Sequence, residues 1–183
     1  LSSPLRGPER ANLSIHKRKN LTNLFKAFDI FKEKTKSDIN LVIIGNKKWW
    51  KGEIEDTYDQ MKYKESVVFT GRMEAEDVCK VSSASLGLVF VSLFEGFGIP
   101  IVEAFACHTP VITSNVTSMP EVAKDAALIV NPNDINQISE AMYSLYTDKK
   151  LREDLINKGI ERNKEFSWDK SADELWNIIK SLE

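Results

Sequence analysis

Glu95 and Glu103 stand eight positions apart, on either side of a turn that reads Glu95-Gly96-Phe97-Gly98-Ile99-Pro100. Two carboxylates at such a turn can accept hydrogen bonds from hydroxyl groups. The backbone between them suits a different partner. Gly96 and Gly98 let the chain turn sharply and let a ligand approach closely. The helix expected after them opens with unsatisfied N–H groups and a positive dipole end, which together attract anions. The dipole contributes only about 0.3–1 kcal/mol. A bare phosphate would not favour two flanking acids, but a ligand that carries both hydroxyls and phosphates would, and a nucleotide sugar is such a ligand. The backbone amides would then meet phosphate, with the glutamates left for hydroxyls. A second cluster, His16-Lys17-Arg18-Lys19, is basic and stands at the mouth of a helix. Arg18 and Lys19 fit a diphosphate, although an isolated run of this kind also occurs as a solvated surface. His16 fits a surface or capping role equally well.

The elements that must position these residues alternate. Leu86-Gly87-Leu88-Val89-Phe90-Val91 is an apolar, β-prone run and predicts a strand buried on both faces. Pro100 fits the first helical position, Ile101, Ala104 and Phe105 form an apolar face at helical spacing, and Glu103 is expected in the helix's first turn. Similar alternation places strands near 13, 39, 67, 86, 110 and 126, each followed by a helical pattern. Asn20 reads as an N-cap for a helix with Leu21, Leu24, Phe25, Phe28 and Phe31 on one face. Helices are also expected over 53–63 and 149–165, on Ile135, Ile138, Met142 and Leu145, and after Ser167. Trp168, Leu175, Trp176 and Ile179 read as packing residues. This is the pattern of an α/β, Rossmann-like, three-layer domain with a mostly parallel sheet of about six strands. Ligands of such sheets bind beyond the C-terminal strand ends, where Glu95, Gly71, Thr113 and the basic run fall.

Several ordered blocks resemble one family. Glu95-Gly96-Phe97-Gly98-Ile99-Pro100, then Glu103-Ala104 and Pro110-Val111-Ile112, resembles the E-x7-E region of retaining GT-B glycosyltransferases, notably glycosyltransferase family 4. Arg18-Lys19-Asn20-Leu21, Leu41-Val42-Ile43-Ile44-Gly45, Phe69-Thr70-Gly71, Pro120-Glu121-Val122 and Phe166-Ser167-Trp168 match further family segments in order. The resemblance covers residues 13–183 and implies the C-terminal, donor-binding half of a GT-B fold. Residues 1–12 read as an irregular segment, broken by Pro4, Gly7 and Pro8. The resemblance further implies that Glu103 grips ribose hydroxyls, Glu95 the donor sugar, and the amides of Phe97, Gly98 and Ile99 the phosphates. Arg18 and Lys19 would stabilise the leaving diphosphate. Gly71 would approach the base through its backbone, while Arg72 would either stack on the base or face solvent. The family needs no metal, so the expected small molecule is a nucleotide-diphosphate sugar donor without a cofactor. The acceptor, and any peripheral membrane association, would belong to an N-terminal domain outside this chain. Because a C-terminal helix of the family crosses back to that domain, some of the apolar surface after Ser167 is expected to be bared here. Arg18-Lys19-Asn20 and Asn46-Lys47-Lys48-Trp49 lean toward bacterial enzymes of surface-polysaccharide synthesis, often with mannose or related donors.

Composition narrows the classes. A length of 183 residues suits one domain. The net charge of −2 gives no broad basic field for nucleic acid. The apolar run from Leu86 to Phe94 is far short of a membrane span. Cys79 and Cys107 form neither a disulfide framework nor a zinc set, so reduced thiols and a cytoplasmic setting are the expectation. The other readings of the same residues are a non-catalytic nucleotide-binding module and a nucleotide-sugar epimerase on the same fold. A dehydrogenase needs G-x-G-x-x-G after the first strand, and none stands there. His108 is expected at a turn with positive φ, with a ligand role as its alternative. Ser114, Asn115, Thr117 and Ser118 are either turn formers or donors to the ligand.

Overall fold

The computed structural model describes residues 16–47 and 50–182. The strand expected near 13, the 1–12 segment and Trp49 lie outside them. Five parallel strands are present, β1 (Leu41–Ile44), β2 (Val67–Gly71), β3 (Leu88–Phe90), β4 (Val111–Ser114) and β5 (Ala127–Val130). Eight helices accompany them among the described residues: α1 (Leu21–Thr35), α2 (Glu53–Asp59), α3 (Ala75–Ala84), α4 (Ile99–Ala106), α5 (Met119–Ala123), α6 (Ile135–Thr147), α7 (Lys149–Asn163) and α8 (Trp168–Lys180). Six strands were expected and five are described, in two hydrogen-bonded groups ordered β1-β2 and β3-β4-β5.

Two apolar layers flank the strands. On one side α1 and α6 pack together, and Leu21, Leu24, Phe25, Phe28 and Phe31 fill a core with Ile43, Val91, Ile112 and Ile138. This core includes side chains from both strand groups, so α1 spans them. On the other side Ile101, Phe105 and Val111 join Met119 and Val122 beneath α4 and α5, and α7 packs against α4 while its Leu155 joins the first layer. Burying each of the large side chains in these layers stabilises the fold by about 1.5–3 kcal/mol. The central strand β4 is buried along its whole length, as a strand between two helical layers must be. Its hydroxyls are satisfied internally: Thr113 donates to the Phe90 carbonyl at 2.9 Å and Ser114 to the Ser92 carbonyl at 2.7 Å. The pair β1-β2 is covered less fully, since Val42 and Val68 are exposed and α3 buries no residue.

Four local expectations change. Asn20 occupies the position before α1 at φ +60°, but its side chain makes no cap. Its amide nitrogen donates instead to the carbonyls of Val91 (3.0 Å) and Pro132 (2.7 Å), which ties α1 to the ends of β3 and β5. The buried carbonyls need a donor and Asn supplies two N–H groups. Trp168, Leu175, Trp176 and Ile179 are not packing residues, because α8 buries no side chain and all four are exposed. Cys79 on α3 and Cys107 at the end of α4 are paired as a disulfide with Cα atoms 5.6 Å apart, instead of standing as separate reduced thiols. Finally, α2 ends at Asp59, short of the expected 63.

Candidate functional site

The site forms where β3 runs into α4. The strand ends at Phe90, and a loop carries Glu95 to Gly98, which precedes α4 at φ +104°. Pro100 takes the second helical position, not the first, because Ile99 already belongs to α4. Glu103 consequently lies in the second turn and not the first, where its half-buried side chain follows the helix start by four residues. The amides of Gly98 and Ile99 have no acceptor among the described residues, as expected at the start of a helix. Phe97 and Ile99 are exposed, and Gly96 has open space where a side chain would stand.

The loop is held by the segment after β4. Ser118 donates to the carbonyls of Glu95 (3.0 Å) and Phe97 (2.9 Å), and the Glu95 amide donates to the Thr117 hydroxyl at 3.3 Å. Thr117 adopts φ +54°, which brings its hydroxyl to the loop. These two residues are therefore turn formers that build the site. Phe166 supports it from below: its ring meets Phe97 edge-on at 5.7 Å, and the Arg162 guanidinium lies 4.6 Å over it. Arg162 also donates to the carbonyls of Val122 (2.9 Å) and Glu121 (2.8 Å), joining α7 to α5. The sequence reading missed Arg162. The signal was present only as a cation four residues before Phe166, which resembles any surface charge on a helix.

The basic run reaches the same place. Residues Lys17–Lys19 form one tight helical turn ahead of α1, and the Leu93 amide donates to the Arg18 carbonyl at 2.8 Å. That contact sets Arg18 and Lys19 beside the loop. Arg18 Nη1 lies 2.6 Å from Glu95 Oε2, and Lys19 Nζ lies 2.7 Å from Glu95 Oε1. The Glu95 side chain is 11% exposed, Lys19 16% and Arg18 45%, so the acid sits deeper than the arginine that meets it. Lys19 also lies 4.6 Å over the Phe90 ring. Burial works against the Glu95 carboxylate. The hydrogen bond and charge of Lys19, with the hydrogen bond of Arg18, outweigh it and hold the carboxyl below the usual glutamate range. At Lys19 burial dominates and pulls the ammonium below its ordinary value, against the hydrogen bond and charge of Glu95, with the Arg18 charge lowering it further.

Three of the expected residues, Arg18, Lys19 and Glu95, thus form one cluster, with the Gly98 turn following directly. Gly71 ends β2 at φ +71°, with its carbonyl accepting from Gly45, and Arg72 beyond it is exposed. No hydrogen bond or ion pair among the described residues joins these two to the Glu95 cluster. Both groups nevertheless lie at C-terminal strand ends, where ligands of open parallel sheets bind. His108 is at φ +55°, the turn role expected of it. Of the adjacent tryptophans, Trp50 packs edge-on against Tyr58 and Phe69.

Comparison with known proteins decides the family. Residues 14–162 match the family model described as glycosyl transferases group 1. The chain belongs to that family. It is 32% identical over 165 residues to the O-antigen chain mannosyltransferase B of Escherichia coli, covering 90% of this chain and 43% of that protein. Among solved structures, the sucrose-phosphate synthase of Thermosynechococcus elongatus superposes with a TM-score of 0.79 at 25% identity, over 91% of this chain and 43% of that one. The C-terminal domain of a glycosyl transferase group 1 family protein, LpcC, from Francisella tularensis matches with a TM-score of 0.70 at 26% identity. There the match covers 81% of this chain and 80% of that domain. This group 1 domain is thus a C-terminal GT-B domain with a Rossmann-like sheet, and the chain spans less than half the length of the curated relative that matches most of it.

Proposed function

We propose that the domain binds the nucleotide-diphosphate sugar donor of a retaining glycosyltransferase, and that the whole protein transfers the sugar to an acceptor in synthesis of a polysaccharide or glycoconjugate. The observation that carries this reading is the cluster of Arg18, Lys19 and Glu95 directly before the Gly98 turn and the start of α4. Each part has a task. The amides of Phe97, Gly98 and Ile99, with the helix dipole, take phosphate oxygens. Arg18 and Lys19 stabilise the charge that develops on the departing diphosphate, the largest demand in breaking a bond between sugar and phosphate. Glu95 accepts from hydroxyls of the donor sugar and Glu103 from those of the ribose, while Gly71 and Arg72 meet the base. The new glycosidic bond forms on the face from which the diphosphate leaves, the acceptor proton passes to a phosphate oxygen, and the anomeric configuration is kept. The cationic pair supplies the charge that a metal supplies in other transferases, so no cofactor is required. The relative named as a mannosyltransferase favours mannose or a related hexose as the transferred sugar.

The test is calorimetric titration of the 183-residue chain with GDP, UDP, dTDP and ADP, beside Glu103→Ala. One diphosphate should bind with a Kd of about 10 μM to 1 mM, and the variant should lose at least roughly tenfold in affinity, the share of one good hydroxyl–carboxylate contact. Equal binding by the variant removes Glu103 from the donor site. Turnover by this chain alone, with saturating donor and acceptor, would remove the division of labour with an acceptor-binding domain.

A further inference from the structure

Arg18 and Lys19 already have a counterion. Both carboxylate oxygens of Glu95 are engaged, Oε2 by Arg18 at 2.6 Å and Oε1 by Lys19 at 2.7 Å. The acid is also anchored. Its amide donates to Thr117, its carbonyl accepts from Ser118, and Arg18 donates to the neighbouring Phe94 carbonyl at 3.4 Å. A backbone pinned on both sides of Glu95 keeps the carboxylate within the site when another anion approaches. Any phosphate that uses Arg18 and Lys19 must therefore share them with a fixed negative charge, and like charges at close range are strongly unfavourable.

We infer that Glu95 is a specificity-determining residue that sets the site against free diphosphates and in favour of diphosphates that carry a sugar. The inference rests on the donor-site reading above and adds a sign to it. A sugar-bearing diphosphate presents hydroxyl donors where the carboxylate lies, so the oxygens that release Arg18 and Lys19 find new partners. A free nucleoside diphosphate has one more negative charge and no hydroxyl at that end. It presents an anionic oxygen to Glu95 and gains nothing in return. The same residue thus aids capture of the donor and expulsion of the spent nucleotide. A residue that only ordered Arg18 and Lys19 would act with the opposite sign, because its loss would weaken every anion alike.

The experiment titrates the wild-type chain and Glu95→Gln with inorganic pyrophosphate, with GDP and UDP, and with GDP-mannose and UDP-glucose. The expected result is that Glu95→Gln binds pyrophosphate and the matching nucleoside diphosphate about tenfold more tightly, the scale of one close charge pair. The preference for the sugar-bearing form over the free diphosphate should shrink by a similar factor. Unchanged or weaker binding of free diphosphates by a folded Glu95→Gln overturns the inference and leaves the donor site standing. If neither protein binds any of these ligands, the donor-site reading fails, and this one with it. Should Glu95→Gln lose its cooperative melt, the wild-type chain still carries the test: it must bind the sugar-bearing form more tightly than the matching free diphosphate, and equal or weaker binding of the sugar-bearing form overturns the inference.

Discussion

At the scale of single residues, Glu95 is held between two cations, Arg18 at 2.6 Å and Lys19 at 2.7 Å. Glutamate, arginine and lysine announce charge in any context, and the glycines around Glu95 mark a turn. What spacing along the chain does not convey is that Arg18 and Glu95 touch, because a register set by the Leu93 amide on the Arg18 carbonyl brings them together. The ion pair has a consequence for acid stability. Glu95 titrates below its ordinary range in the folded chain, and an unfolded glutamate titrates near about 4.3. Where the folded value is depressed, the unfolded state binds more protons in that window, so stability rises with pH. The contribution of Glu95 is fully present above the unfolded value and is lost as pH falls through the folded one. Glu95→Gln should therefore destabilise the chain by about 1–3 kcal/mol at neutral pH, as expected when one partner of a partly buried charged contact is removed. The gap between the two proteins should close on acidification. Urea midpoints measured at several pH values between about 2 and 7 check this, and a gap independent of pH would show that the pair contributes nothing through its charge.

At the scale of elements, alternation of strand and helix patterns marked the helices of the core and the places of the five described strands along the chain, while the ends of elements were less legible. Asn caps helices often through its side-chain oxygen, but the Asn20 side chain is oriented by its Nδ2, which donates to two buried carbonyls, and it makes no cap. Thr117 and Ser118 were readable only as turn formers or ligand donors. Their partners, the Glu95 amide for Thr117 and the Glu95 and Phe97 carbonyls for Ser118, lie in a loop some twenty residues away in sequence, and no local pattern records that. Two glycines show how closely α4 is held. A Cβ at Gly159 on α7 would stand 2.7 Å from the Phe105 ring, and one at Gly98 would stand 3.2 Å from Ile101 Cδ1 at φ +104°. Gly159→Ala must push the fully buried Phe105 aside and should cost about 1–3 kcal/mol, with little effect on nucleotide affinity. Gly98→Ala adds strain at positive φ to a tight contact, and should cost about 1–2 kcal/mol and also weaken nucleotide binding, because the turn itself carries the amides. Denaturation with urea alongside nucleotide titration separates the two. Equal loss of affinity in both would mean that the α4–α7 contact, and not the turn, sets the site.

At the scale of the whole molecule, the strength of the core and the exposure of the C-terminal helix are independent. The core lies on either side of the strands, in α1 and α6 on one side and α4 and α5 on the other, with α7 touching both and adding Leu155 to the first. The amphipathic pattern of α8 was legible, and the expectation that its apolar face packs followed from the usual fate of such a face in a complete fold. The exposed Trp168, Leu175, Trp176, Ile178 and Ile179 show that amphipathicity states what a helix can bury, not whether this chain supplies the surface to bury it. Neither core cluster includes a side chain of α8, and its cap at Ser167 is local, with the hydroxyl accepting from the Lys170 amide. Isolated helices of this length are marginal in water. The helix therefore adds little to the cooperative unit and should exchange its amides faster than α1, whose face is buried. Removing residues 168–183 should change the unfolding free energy by less than about 1 kcal/mol, since Phe166, the last side chain that supports the Glu95 loop, remains. It should also lower the binding of dyes that report exposed apolar surface. A cooperative loss of several kcal/mol on truncation would show that α8 belongs to the core after all, and that its exposed face is the outer side of a helix anchored elsewhere.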